Sequence, residues 1–301
     1  MKIVFFGTSD FAVPSINKIL QSNHQIVSVV TGKPKKSGRG QNKTKNPVHI
    51  ESEKLNLPII NVENVNDSTL VDNLKTIKAD IFIVVAFKIL PEKIFSIPTY
   101  GTVNLHASLL PKYRGAAPIH HAILSGDTQT GVSTFNITNK VDAGKILLQE
   151  KCKINENTTT GQLWQELSVV GARLLVNTLD GLENNTIKPI EQNLRDITLA
   201  PKLNKKMFLI DWAKTSSEIH NQIRAFSPKP GAFTYIKNKR VKLFESEIAS
   251  SKKLDCGKYF IEKNKILVGT STFDLIIKSI HVEGKKRMTI SDYCKSINKN
   301  N

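Results

Sequence analysis

The sequence predicts an α/β protein: a Rossmann-like, mostly parallel sheet domain over residues 1–188, a linker over 189–206, and an OB-like β-barrel domain over 207–301. Three observations carry that expectation. Continuous Val/Ile/Phe runs alternate with helix-period stretches through the first half, the pattern of a parallel sheet covered on both faces. From Ala232 onward the runs are short, closely spaced and split by small turns, which suits a compact barrel. Between them lies a polar, proline-bearing stretch without a sustained period. At 301 residues the chain can build a core in each domain.

In chain order, residues 2–6 form a buried strand that ends at Gly7. Thr8, Ser9 and Asp10 then offer capping oxygens to a helix reaching Leu20, with Pro14 in its first turn, where a missing N–H matters least. Further strands are read at 25–30, 81–85 and 102–106, with helices at 48–54 and 68–76. The first turn, GTSDFA, has one glycine where a dinucleotide fingerprint needs three, and no phosphate-loop lysine pattern occurs, so NAD, FAD and nucleotide hydrolysis are excluded. Residues 31–47, TGKPKKSGRGQNKTKNP, are read as a long mobile loop carrying Lys33, Lys35, Lys36, Arg39, Lys43 and Lys45 and no acid. Thr159 caps an amphipathic helix over 161–179. His120 and His121 sit in another helix without ligand-like partners. After a short helix at 216–226 come the strands AFTYI, VKLF, KYFI, KILVG and FDLIIKSI.

The net charge is +17. Residues 1–188 hold 21 Lys+Arg against 15 Asp+Glu (+6), and residues 189–301 hold 22 against 11 (+11). Such a field draws polyanions, nucleic acid first among them. A Lys- and Asn-rich composition lifts bulk charge by itself, so the placement of the charge weighs more than its sum. No run approaches a membrane span or a signal peptide. Cys152, Cys256 and Cys294 are scattered, odd in number and lack a CxxC, which argues against disulfides or zinc and for a reducing cytoplasm.

Chemistry concentrates in residues 102–148, TVNLHASLLPKYRGAAPIHHAILSGDTQTGVSTFNITNKVDAGKILL. Asn104 and His106 are two apart on a strand and share one face. Asp142 lies beside Gly144 in a loop between two apolar runs. An amide donor with an imidazole–carboxylate pair suits acyl transfer without a nucleophilic Ser or Cys.

The pattern N-L-H-x-S-L-L-P-x-Y-R-G followed by D-x-G resembles the signature of the 10-formyltetrahydrofolate-dependent formyltransferases, and the resemblance runs along most of the chain. It implies catalysis by Asn104, His106 and Asp142, with Asn104 and His106 donating to the developing oxyanion and either His106 or Asp142 as net proton acceptor. It implies 10-formyltetrahydrofolate as formyl donor, no metal, and a folate pocket of Phe87, Ile89, Leu90, Ser108, Leu109, Leu110, Pro111 and Val141. Phe87 and Lys88 stand where the family has Tyr-Gly, and Lys229 where it has Trp. The 31–47 segment is similar to an insertion that tRNA-acting members place against the acceptor arm, which implies tRNA contacts from Lys33, Lys35, Lys36, Arg39, Lys43 and Lys45. The expected reaction is formyl transfer to the α-amino group of methionyl initiator tRNA, for translation initiation, by a cytoplasmic monomer whose second domain also binds tRNA. A nucleotide-sugar N-formyltransferase using the same cofactor is the alternative, and a non-enzymatic RNA-binding protein leaves Asn104, His106 and Asp142 unexplained.

Overall fold

The computed structural model describes residues 1–37, 42–236, 238–262 and 265–298. In chain order the elements begin β1 (Lys2–Gly7), α1 (Val13–Leu20), β2 (Gln25–Gly32), β3 (Lys35–Ser37), β4 (Asn42–Thr44), α2 (Pro47–Lys54), β5 (Ile59–Val62), α3 (Ser68–Ile77) and β6 (Ile81–Val85). There follow α4 (Glu92–Phe95), β7 (Thr102–His106), β8 (Arg114–Gly115), α5 (Pro118–Leu124), β9 (Gln129–Asn136), β10 (Ile146–Lys153), α6 (Thr160–Glu183) and β11 (Leu199–Ala200). The last are α7 (Ser216–Ala225), β12 (Ala232–Ile236), β13 (Lys239–Ile248), β14 (Tyr259–Glu262), β15 (Lys265–Val268), β16 (Leu275–Val282), β17 (Met288–Thr289) and α8 (Ile290–Asn298). Two compact units emerge: Met1–Gly115, Thr130–Cys152 and Trp164–Ala200 in one, and Ala116–Gln129, Lys153–Leu163 and Pro201–Asn301 in the other. The sequence pattern puts a linker at 189–206, whereas this division keeps residues through Ala200 with the first unit.

The first unit is built on a seven-stranded sheet in the order β10-β9-β7-β6-β1-β2-β5. The β1–β2, β1–β6, β2–β5 and β6–β7 pairs are parallel and β9 runs antiparallel to β7. Ile3, Val4, Phe5 and Phe6 are fully buried, as continuous apolar strands in a covered sheet require. Helix starts follow local chemistry: the Ser9 hydroxyl accepts from Phe11 N before α1, Asn46 accepts from His49 N at α2, and Asp67 accepts from Thr69 N at α3.

The 31–47 segment is not an irregular loop. β2 continues to Gly32, and β3 and β4 form an antiparallel hairpin pairing Lys35 with Thr44, Lys36 with Lys43 and Ser37 with Asn42. A ladder needs backbone partners rather than an apolar face, so side-chain pattern alone could not reveal it. Arg39 lies outside the described residues.

The second unit carries an antiparallel sheet ordered β12-β13-β16-β15-β14, with β17 on β16, curled into a half-barrel. Its core joins Ile219, Ile223 and Phe226, all fully buried, to Val241, Leu243, Ile266, Val268, Ile277 and Ile280. α7 starts at a capping box in which the Thr215 hydroxyl accepts from Glu218 N and the Glu218 carboxylate accepts from Thr215 N.

His120 of α5 lies 6.3 Å, ring to ring, from Phe226, and burial, with His121 alongside, pushes its pKa down to about 4. A histidine depressed in the fold but ordinary when unfolded favours folding above about pH 6.5, and that contribution is lost as pH falls toward 4. His120→Leu should therefore flatten the acid limb of a urea-stability profile between pH 6.5 and 4 by about 2–3 kcal/mol relative to wild type. Parallel profiles would show that the ring is already protonated in the fold.

Candidate active site

β7 ends at the carboxyl edge of the sheet, where open α/β sheets hold their ligands. Asn104 and His106 project from one face of it, and Leu105 from the other, beneath α6. A Cβ at Gly171 of α6 would come within 2.7 Å of Leu105 Cδ2, so glycine there lets the helix settle on the strand.

His106 is buried, and its Nε2 lies 2.9 Å from the Tyr113 carbonyl. A carbonyl only accepts, so Nε2 carries the proton and donates it. Nδ1 is then the atom facing Asp142, with Oδ2 at 3.8 Å. That is too long for a hydrogen bond but close enough to hold an imidazolium. Asp142 sits in the left-handed region at φ 51, and its Oδ2 accepts from Gly115 N at 2.8 Å. Asn104 is half-buried and its carboxamide makes no hydrogen bond among the described residues. The sequence reading made His106 a second donor beside Asn104. With Nε2–H committed to Tyr113, the site-facing nitrogen can donate only when the ring is protonated.

The turn after β7 is fixed from beneath. Ser108 Oγ donates to Lys112 O at 2.6 Å, and Ser133 Oγ donates to Ser108 O at 2.6 Å while accepting from Leu110 N at 3.0 Å. Gln149 Nε2 donates to Leu110 O and to Ser133 Oγ. Tyr113 stands at φ 60 and is held by Thr198, whose hydroxyl accepts from Tyr113 N at 2.8 Å and whose carbonyl accepts from Arg114 N at 2.9 Å. β8 then pairs in parallel with β11, and at Gly115, φ 126, a Cβ would meet Ala200 O at 2.6 Å.

Gln192 closes the site. Its Nε2 donates to the Asp142 carbonyl at 2.9 Å and to the Gly144 carbonyl at 2.7 Å. Its Oε1 accepts from Arg114 Nε at 3.0 Å and Nη2 at 2.6 Å. Gly144 is required because a Cβ there would lie 1.7 Å from Asn136 O. Gln192 and Thr198 sit in the stretch read as a linker; neither has a periodic or motif signal in sequence.

The residues assigned to a folate pocket divide. Ile89 is 74 % exposed and Val141 53 %. Leu109 and Pro111 are half-buried. Leu90, by contrast, is buried in the core beside β1 and β6, and the Phe87 ring lies edge-on to Phe6 at 5.6 Å, so these two offer a ligand chiefly backbone. Ser108 and Leu110 are buried under the turn and shape it rather than line it. The 86–90 loop leaves β6 beside Asn104, since Val84 and Asn104 are register partners. It is tied to the first turn by Thr8 Oγ1, which donates to Ala86 O at 2.9 Å, and to the β5 side by Lys88 Nζ donating to Glu63 O. Away from this edge, Lys33 pairs with Glu63 and Lys45 with Glu53, while Lys35 and Lys43 are exposed.

Residues 1–179 match the formyl transferase family and residues 202–298 match the formyl transferase C-terminal domain. The chain is 38% identical over 296 residues to the methionyl-tRNA formyltransferase of Alkaliphilus oremlandii, covering 97% of this chain and 96% of that one. It is 37% identical over 305 residues to the methionyl-tRNA formyltransferase of Porphyromonas gingivalis, covering 97% and 94%. Among solved structures it is similar to the N-formyltransferase of Helicobacter canadensis in complex with folinic acid and dTDP-3-aminofucose, with a TM-score of 0.70, 23% identity, and 92% and 98% covered. At that identity the likeness speaks for the fold alone.

Gln192→Ala would strand two carbonyls and a guanidinium in a half-buried site. Urea denaturation should report a loss of about 2–4 kcal/mol, with Gln192→Glu, which keeps only the acceptor, close behind. An unchanged midpoint in both would mean that the loop does not lean on this amide.

Proposed function

The chain belongs to the formyl transferase family, and from that premise we propose that it transfers the formyl group of 10-formyltetrahydrofolate to the α-amino group of methionyl initiator tRNA, for translation initiation. One observation carries the chemistry: the unpartnered carboxamide of Asn104 stands two residues from a histidine whose free nitrogen faces a carboxylate. Relatives named methionyl-tRNA formyltransferase that match nearly end to end, together with a net charge of +17, support tRNA as the acceptor.

When bound, 10-formyltetrahydrofolate supplies an electrophilic formyl carbon; exposed Ile89 and Val141, the 86–90 backbone and the turn at 109–111 are the groups that suit it. Asn104 donates its amide N–H to the oxygen that gains negative charge as the substrate amine attacks, an interaction of the oxyanion-hole kind. The Tyr113 carbonyl keeps a proton on His106 Nε2, so in the neutral ring Nδ1 is the nitrogen that accepts the proton the amine releases. Asp142 then faces the imidazolium across 3.8 Å and stabilises it until His106 gives the proton to N10 as the formyl C–N10 bond breaks and tetrahydrofolate leaves, while Gly115 N and Gln192 keep Asp142 in place. On this reading His106 is the proton acceptor and Asp142 its electrostatic partner. Lys33, Lys35, Lys36, Arg39, Lys43 and Lys45 supply phosphate contacts to the tRNA. The protein works as a cytoplasmic monomer, its second unit adding RNA affinity.

The test is transfer of labelled formyl from 10-formyltetrahydrofolate to charged initiator tRNA. Asn104→Ala should lower kcat by about 10²–10³-fold, or about 2.7–4 kcal/mol of barrier, with KM for tRNA little changed. His106→Gln, which keeps an amide but no titrating nitrogen, should fall at least about 100-fold. Turnover on an amino-sugar nucleotide with none on tRNA would overturn the acceptor, and full activity in Asn104→Ala would overturn the site.

A further inference from the structure

The half-barrel of the second unit presents an outer face that its own packing does not explain. Along β12, Ala232 is fully buried, Thr234 accepts from Trp212 Nε1, and Ile236 packs on the core, so these three face inward. Phe233 and Tyr235 alternate with them and face outward. Their register partners on β13 are Lys242 and Arg240, between and beside the inward-facing Val241 and Leu243, and Lys242 is in turn opposite His281 on β16. Two aromatic rings and three basic side chains therefore share one face across three strands.

The details are those of an unfilled surface. Tyr235 is 60 % exposed, and its ring stands at 90° to that of Phe233 at 5.7 Å. Arg240 Cζ lies 5.9 Å from the Phe233 ring centre. Neither Arg240 nor Lys242 has a carboxylate partner among the described residues. Lys242 Nζ donates to the Pro230 carbonyl, which leaves its charge uncompensated, and exposed Lys229 precedes that proline. The nearest acid on the register is Glu283, which accepts from the backbone N of Arg240 at the end of β16. On the same sheet Lys278 of β16 is paired with Glu247, and Arg287, just before β17, with Glu245. The solvent side of such a sheet is ordinarily polar and charge-balanced; here the Tyr235 ring is exposed, the Phe233 ring is half-buried beside it, and charge is left over.

Exposed rings interleaved with unpaired cations match one ligand chemistry, the unpaired nucleotide, whose base stacks and whose phosphates take the cations. We propose that the outer face of β12, β13 and β16 binds an unpaired nucleotide of the RNA substrate, with the Tyr235 ring stacking on the base and Arg240 and Lys242 taking the flanking phosphates. The proposal rests on the tRNA reading above and deepens it. Every base has a π-face, so this contact raises affinity without reading sequence.

The experiment measures equilibrium binding of charged initiator tRNA and of a deacylated elongator tRNA to the full chain across salt concentrations, alongside formyl transfer. Tyr235→Ala should weaken binding of both tRNAs by about 10-fold, with KM for tRNA rising in step, while Tyr235→Phe keeps wild-type affinity. Arg240→Gln should weaken both about 3–10-fold and make the log–log salt slope shallower by about one. Lys278→Gln, at a cation already paired, is the control and should change neither. Circular dichroism and urea midpoints check that the variants fold. Wild-type affinity in both Tyr235→Ala and Arg240→Gln, with wild type still formylating tRNA, would overturn this face and leave the enzyme assignment standing. Wild type that neither binds nor formylates tRNA would overturn the assignment and this face with it. Loss of self-association in place of RNA affinity would give the face to a second copy of the chain and overturn its reading as an RNA site.

Discussion

The hydrogen bond from His106 Nε2 to the Tyr113 carbonyl is the constraint from which the rest of the site follows. It fixes the proton on Nε2 and leaves Nδ1 as the nitrogen that faces Asp142. For that carbonyl to reach the ring, Tyr113 must adopt φ 60, a region non-glycine residues rarely visit. Its N–H is therefore tied to the Thr198 hydroxyl, the next N–H to the Thr198 carbonyl, and the chain continues into a two-residue parallel pairing with β11. Asp142 is held by the same logic: a left-handed backbone, a carboxylate capped by Gly115 N, and a carbonyl capped by Gln192. His106 and Asp142 face each other across 3.8 Å because the segment carrying Gln192 and Thr198 restrains both Asp142 and Tyr113.

Charge is arranged just as selectively. Lys33, Lys45, Lys278 and Arg287 are matched with carboxylates, exposed pairs that contribute little to stability and much to neutralising the local field. Among the described residues Arg240 and Lys242 have no carboxylate partner, and they lie beside the Phe233 and Tyr235 rings. Arg114 spends its fork on a neutral amide oxygen and so serves the loop. A net charge of +17 is thus less informative than where cations stand beside aromatic rings.

The buried strands, the helix start at Ser9 and the shared strand face of Asn104 and His106 were legible in the chain because each rests on short-range physics. Apolar runs bury, capping oxygens find the N–H two or three residues on, and residues i and i+2 of a strand share a face. The β3–β4 hairpin was not legible, since its ladder is made by backbone groups and its residue types carry no apolar alternation. Phe87 and Leu90 were placed in the pocket by the family resemblance, and in the fold Leu90 is buried in the core with Phe87 packed against it, because a motif position does not say which surface a side chain meets.

What the sequence determined by itself, then, is the class of sheet, the order of its strands and helices, and which chemical groups are available. Tertiary structure alone decided how those groups are used. Gln192 is 50 residues from Asp142 and 78 from Arg114, and Thr198 is 85 from Tyr113. Hydrogen bonds over such separations leave no periodic trace, because they exist only after the sheet has brought the segments together. The direction of the His106 proton, the reach of Asp142 and the unpaired face of β12 are all set at that stage, by geometry that no local pattern encodes.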